Sequence, residues 1–249
     1  MWIRSELKSR ARQSLRNNGY WVALSAIVIV TILSGGIGGV GNAGRSPVNV
    51  EYRLNAYEAD QMGDFMRSIS PMLLFFVIGI TLLSVAYGIF VANPLTVGKS
   101  RFFLEHRFRR PGVGLVFWPF SSGSYLNVVK AVFMQGLFIV LWSLLLIVPG
   151  IIKAYQYILV PYILADNPSL TWRRALELSR RMTDGCKFNI FVLQLSFIGW
   201  YLLGSLALIV GAFFVAPYPE STMAELYITL REQALSSGVT SESELPGVA

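Results

Sequence analysis

From Ala131 to Ala165 the chain runs for thirty-five residues with Lys153 as its single formal charge and Pro149-Gly150 as its strong break. An α-helix rises ~1.5 Å per residue, so an unbroken helix of this length would reach ~52 Å, against a bilayer hydrocarbon core of ~30 Å. The stretch must therefore turn. Pro149 removes a backbone donor and Gly150 tolerates unusual dihedrals, which predicts a helical hairpin that crosses a membrane twice and bends at this pair.

Composition supports the same medium. The 249 residues are 54% hydrophobic and 14% charged, about half the ~25% charged share of soluble domains, and too much apolar surface for an aqueous fold to hide. The formal net charge is +7. Its basic residues stand beside apolar runs, so anionic lipid headgroups are the expected partner and nucleic acid is not. The single cysteine, Cys186, excludes an intramolecular disulfide and a cysteine zinc cluster, and the single histidine, His106, excludes a histidine-rich metal site. No cofactor is expected.

Taken in order, residues 1–19 read as a basic amphipathic helix. Trp2, Ile3, Leu7, Ala11 and Leu15 recur at helical spacing among Arg4, Lys8, Arg10, Arg12 and Arg16, a pattern suited to an anionic membrane surface. Asn17-Asn18-Gly19 ends it. A first span follows near 20–40; a cleaved leader is the competing reading, disfavoured by its length and by the spans that follow. Gly36, Gly38 and Gly41 satisfy G-x-G-x-x-G and Gly98-Lys99-Ser100 resembles the end of a phosphate loop, but neither follows a strand, and the second has Asn93 where a glycine is required. Residues 41–70 form a polar loop. A second span is expected near 71–92, ending at Asn93-Pro94, followed by a basic, aromatic interfacial helix that carries Lys99, Arg101, Phe102, Phe103, Arg107, Phe108, Arg109 and Arg110. The hairpin spans fall near 126–148 and 151–165. Asp166 serves as a turn or cap residue, and a helix from Ser169 to Met182 follows. The run from Phe188 to Pro217 is long for one span and short for two; Gly199, Gly204-Ser205 and Gly211 offer bends, giving spans near 188–203 and 205–217. A capping box, Thr222 with Glu225, opens the last helix, and residues 236–249 are expected to be disordered.

The exits Val91-Ala92-Asn93-Pro94, Val160-Pro161-Tyr162 and Val215-Ala216-Pro217-Tyr218 echo one another, which suggests a threefold repeat of hairpin plus surface helix. Charge placement orients it. Five basic residues precede the first span, five lie in 93–124 and five in 166–187. The positive-inside rule places all three groups, and the N-terminus, in the cytoplasm. The expected architecture is all-α, a polytopic helical membrane protein with about six spans in three hairpins and amphipathic interfacial helices. The C-terminal part from Tyr218 holds five acids and one basic residue, so five spans with an outside C-terminus stay open.

Several segments carry a resemblance: Leu141 to Tyr155, Val160 to Pro168, Ala175-Leu176 with Leu178-Ser179-Arg180, Leu195 to Trp200, and Pro217-Tyr218 with Thr222, Ala224 and Tyr227. They resemble a family of bacterial integral membrane proteins, frequent in Gram-positive bacteria and catalogued as a domain of unknown function, distantly similar to the membrane region of some glycerophosphodiester phosphodiesterases. The likeness is most specific from Leu137 to Tyr227; the 41–70 loop and Asp184-Gly185-Cys186 depart from it. It implies a multi-pass protein of about six spans in the bacterial cell membrane and supplies no catalytic residues.

Ionisable and polar groups inside spans are the default functional candidates. Lys153, Gln156, Gln135 and Gln194 are these; for Lys153 the competing reading is snorkelling to the outer interface. Lipid headgroup contacts are expected from Arg10, Arg12, Arg16, Lys99, Arg101, Arg173, Arg174, Arg180 and Arg181. The leading function is a non-enzymatic component that binds membrane lipids, preferentially anionic, or another membrane protein. A small transporter with a polar path near Lys153 is the alternative. A lipid-acting enzyme ranks last, because the sequence offers no paired carboxylates, Ser-His set or metal cluster.

Overall fold

The computed structural model describes residues 3–33, 56–206 and 214–248, and every regular element among them is helical. The glycine motif at Gly36, Gly38 and Gly41, the end of the first span, residues 41–55 and the bend at Gly211 lie outside the described residues, whereas residues 56–70, expected as the rest of the polar loop, are helical and form the first half of the helix Ala56–Tyr87. In chain order come α1 (Arg4–Asn18), α2 (Tyr20–Leu33), α3 (Ala56–Tyr87), a π-helical turn (Gly88–Ala92), α4 (Asn93–His106), a 3-10 turn (Val113–Phe117) and α5 (Trp118–Ser121). Then follow α6 (Tyr125–Leu145), α7 (Ile147–Gln156), α8 (Val160–Asp166), α9 (Trp172–Met182), α10 (Lys187–Leu206) and α11 (Pro217–Ser236).

Among the described residues three helical stretches are long and apolar enough to cross a membrane: Pro71–His106, Tyr125–Leu145 and Ile147–Asp166. Their outer parts expose Met72 to Leu83, Val140 to Trp142 and Leu144 to Val148, a surface that water would not tolerate and hydrocarbon would.

Two helices of this stretch, α6 and α7, pack on each other, but the break between them is not at Pro149-Gly150. Leu146 takes the extended conformation (φ −158°, ψ 142°), and α7 begins immediately after it. The physical reason is that a proline in a first helical turn forfeits a hydrogen bond the helix could not make there, so Pro149 starts α7 instead of ending α6. Gly150 has another use. A Cβ on it would lie 2.1 Å from Ser143 Oγ and 2.6 Å from Ser143 Cα, so the bare glycine is what lets α7 close on α6. The second arm is also broken: Tyr157 leaves the helical conformation and α8 restarts at Val160 with Pro161 in its first turn.

Nor does the second span stop at Asn93-Pro94. The helix passes through the π-helical turn into α4, again with proline in the opening turn, where its missing donor is harmless. And α4 is no surface helix. Leu95, Val97, Phe102, Phe103 and Leu104 are buried, as are Glu105 and His106, and α4 packs on α1, α2, α6, α8 and α11. The stripe Leu7, Ala11, Leu15 of α1 is likewise buried, against α11 and α4, instead of lying in lipid. The capping box also fails: α11 begins at Pro217, and Thr222 and Glu225 are buried inside it, Thr222 Oγ1 donating to Tyr218 O at 2.8 Å.

Residues 237–248, expected to be disordered, fold back across α8, α9 and α11. Leu245 is fully buried, Asn167 Nδ2 donates to Glu244 O at 3.0 Å, and Arg174 clasps both Glu244 carboxylate oxygens at 2.6 and 2.9 Å. The segment lacks aromatic residues, yet one leucine and two well-placed charges hold it. That Arg174 hydrogen bond holds the Glu244 carboxyl below the ordinary glutamate range. A carboxyl with a depressed folded pKa stabilises above its unfolded value, ~4.3, and the contribution disappears as pH falls through the folded value. A spin label at Ser241→Cys, with Cys186 replaced by serine, is therefore expected to be immobile at neutral pH and to become mobile as acid titrates the Glu244 carboxyl below its unfolded range; equal mobility at neutral and acid pH would show that the clasp does not hold the segment.

Candidate functional site

Three of the helices that open on proline, α4, α8 and α11, are the ones that follow the echoed exits, and they pack together, α4 against both α8 and α11. Tyr162 of α8 stacks on Tyr227 of α11 at a centroid distance of 5.7 Å. Beside this junction stand α3, α6, α7 and α10. They border a cavity of about 1280 Å³, walled by Val85, Val132, Ile139, Ile151, Phe191 and Ile198 among other apolar groups.

Polar groups gather at one end of it. Lys99 of α4 and Glu220 of α11 form an ion pair there at 2.6 Å, their side chains 22% and 27% exposed, with Asn93, Thr96, Ser100 and Tyr162 alongside. Lys99 stands in the second turn of α4 and Glu220 in the first turn of α11, so each of these two helices contributes one charge. Farther along the wall, Gln135 Nε2 donates to Tyr157 O at 2.9 Å and Tyr155 OH donates to Gln194 Oε1 at 3.0 Å. The first of these bonds satisfies a carbonyl freed by the break between α7 and α8; the second ties α7 to α10.

The four polar candidates thus separate. Gln135 and Gln194 line the cavity. Lys153 does not: its Nζ lies 4.9 Å from the Trp142 ring centroid and 5.8 Å from that of Tyr157, a cation–π clamp beside the cavity wall. Gln156 is buried at the end of α7, where its backbone carbonyl accepts from Ser179 Oγ at 2.7 Å and from Thr183 Oγ1 at 3.3 Å.

Most basic candidates for headgroup contact have protein partners. Arg10 pairs with Glu6, Arg181 with Glu177, and Arg174 with Glu177 and Glu244. Arg101 reaches Glu105 at 3.1 Å and Ala165 O at 2.8 Å, with its guanidinium over Trp118. Arg12 lies over Tyr218 and Arg173 over Trp172. Among the described residues Arg16 and Arg180 have no ion pair.

Sequence reasoning passed over the acids. Glu105, nearly buried, is gripped from both sides by Arg101 and Arg109; the R-x-x-x-E-x-x-x-R spacing was the available signal. Glu225 is buried against Arg107 at 3.2 Å, and burial pushes its carboxyl above the ordinary range even though Arg107 pulls it down. Asp166 is no cap. Its Oδ1 accepts from Gly247 N at 2.7 Å and its Oδ2 from Tyr227 OH at 2.8 Å, with Arg231 Nε at 3.2 Å.

Three apolar helices of spanning length among the described residues, beside a mostly apolar cavity and a buried helical junction, are compatible with a membrane protein of the helical class. The chain belongs to the family described as "Protein of unknown function (DUF975)", whose model matches residues 48–234. No curated protein and no solved structure matches it.

Proposed function

We propose that this chain is a multi-pass protein of the bacterial cell membrane that holds a membrane amphiphile between its spans and does not transform it. The observation that carries this is the cavity: apolar walls between span segments, with one polar end built on the two helices that leave the membrane. That shape matches a lipid, headgroup at the interface and acyl chain between the helices. A binding role suits the polar end better than catalysis, because its two formal charges neutralise each other and the Thr96 and Ser100 hydroxyls donate to helix carbonyls. The reading includes about six spans and a cytoplasmic N-terminus. Its support is that α1, α4 and α9, which carry much of the three basic groups, all pack into the layer of α8 and α11, as the positive-inside rule requires of one membrane face. Arg16 and Arg180 are then available to anionic headgroups around the protein, and the exposed faces of α3 and α6 to lipid or a partner membrane protein. The transporter reading is weaker, since Lys153 is clamped outside the cavity.

Gly136 provides the test. It lines the cavity, and a Cβ on it would meet no atom within 4 Å, so Gly136→Leu starts a side chain into the space where the acyl chain would lie. The substitution also removes a helix-interior glycine, worth ~1 kcal/mol of helix propensity, so it is expected to fold. Lipid retained by the full chain purified in mild detergent should fall from about one molecule to none. Unchanged retention with intact helicity would reject the cavity as the binding site.

A further inference from the structure

We infer that the polar end of the cavity selects an aminophospholipid, a headgroup carrying both a phosphate and a primary ammonium, with Lys99 receiving the phosphate and Glu220 the ammonium. This rests on the reading of the cavity as an amphiphile site and assigns its headgroup. Lys99 and Glu220 are the only formal charges among the described residues that line the cavity, and together they sum to zero. Their Nζ to Oε1 distance is 2.6 Å, so each is the other's partner when no headgroup is present.

Charge complementarity then discriminates. A singly anionic headgroup entering this site gains Lys99 but places its phosphate beside the Glu220 carboxylate and takes away that carboxylate's partner, and in a low-dielectric cleft both effects are costly. A headgroup with both charges exchanges one ion pair for two. The Lys99 ammonium pairs with phosphate oxygen, and the lipid ammonium pairs with Glu220, so no charge is stranded.

Hydrogen-bond polarity narrows the class further. Thr96 Oγ1 donates to Asn93 O at 2.6 Å and Ser100 Oγ to Thr96 O at 3.0 Å. With its hydrogen committed to a helix carbonyl, the Thr96 hydroxyl oxygen is left as an acceptor, as is Glu220, while Ser100 also engages the Tyr162 hydroxyl. Acceptors favour a headgroup whose nitrogen carries N–H groups over a quaternary ammonium, which has none. The site also differs from the arginine-bearing outer surface: that surface attracts anionic lipid by net charge, whereas this one, being neutral, discriminates by the pairing of opposite charges.

The experiment is native mass spectrometry of the full chain in detergent, titrated separately with dioleoyl phosphatidylethanolamine, phosphatidylglycerol and phosphatidylcholine. The ethanolamine lipid is expected to bind about ten-fold more tightly than either of the others, the size of one charge-assisted hydrogen bond. Glu220→Gln should bring the three within about two-fold of one another, and Lys99→Gln should weaken all three, because each carries a phosphate. Phosphatidylglycerol binding as tightly as the ethanolamine lipid, or a preference that survives Glu220→Gln, would overturn the inference. Gly136→Leu separates this from the underlying reading. If it abolishes binding of all three while wild type shows no headgroup preference, the cavity stands and the assignment falls; if it changes none of them, both fall.

Discussion

Gly98→Ala is expected to cost the protein more stability than alanine at any other glycine among the described residues. Gly98 lies in the middle of α4, where alanine would ordinarily gain ~1 kcal/mol of helix propensity. Here the new Cβ would lie 1.8 Å from the carbonyl oxygen of Val116 and 2.7 Å from its carbonyl carbon, with Pro119 Cδ at 3.1 Å. Backbone cannot rotate aside as a side chain can, so either α4 or the 3-10 turn must move. α4 is fixed by α1, α8 and α11, and the turn by buried Val116 and Pro119, so a move at either disturbs well-packed neighbours. Overpacking in such a site costs roughly 1–3 kcal/mol and sometimes more, which outweighs the propensity gain. Unfolding in mixed detergent micelles, followed by circular dichroism, should show Gly98→Ala destabilised by about 2 kcal/mol. Gly136→Ala, with open space at its Cβ, should be neutral or stabilised. Equal midpoints for the two would mean that α4 and the 3-10 turn do not touch as described.

The Gly98 contact also marks what a single sequence could and could not supply. Apolar run lengths carry the helical class and the two apolar stretches of spanning length between residues 125 and 166, because the bilayer's thickness imposes a length that can be counted. The same counting places the bend to within three residues and no closer, since proline is compatible with ending one helix or beginning the next, and only the backbone at Leu146 decides between them. Burial by protein could not be told from burial by lipid. Leu7, Ala11 and Leu15 make an apolar stripe whether α11 or a membrane covers it, and Phe102 and Phe103 beside basic residues suit an interface as well as a core. Of the site, Gln135 and Gln194 stood out as polar groups in apolar runs, and both reach the cavity. Lys99 and Glu220 are 121 residues apart and each looks like an ordinary surface charge. Their pairing depends on how α4 and α11 meet, which no local pattern encodes. Asp166 escapes local reading for a related reason: an acid before Asn167-Pro168 has a sufficient explanation as a turn residue, and its true partners come from α11 and the C-terminal segment.

Asp166 gives the second large effect. Both of its carboxylate oxygens accept, Oδ1 from Gly247 N and Oδ2 from Tyr227 OH and Arg231, and its side chain is fully enclosed. Asp166→Ala would leave Arg231 beside an empty site, Tyr227 OH without its acceptor and Gly247 N without its partner. Arg231 keeps one anchor, the carbonyl oxygen of Leu245, which limits the loss. Removing one member of a buried ion pair costs roughly 3–5 kcal/mol, and about 3 kcal/mol is expected here. Asp166→Asn, though isosteric, should recover little of it. An amide offers one oxygen and one NH2 group, so whichever way it is turned, its own donor meets a donor from Gly247 or from Tyr227 and Arg231. The segment 237–248 should detach first, because Gly247 and Leu245 depend on this cluster, while the Arg174 clasp on Glu244 keeps only its near half in place. Limited proteolysis should therefore cut both Asp166 variants beyond Glu244 under conditions that leave the wild type whole, and thermal unfolding should show both variants well below it. Asp184→Asn, which breaks an exposed pair with Lys187, should leave both readouts unchanged. If Asp166→Asn behaves like the wild type in both, the carboxylate at this position is uncharged or unpaired, and the cluster does not hold the C-terminal segment down.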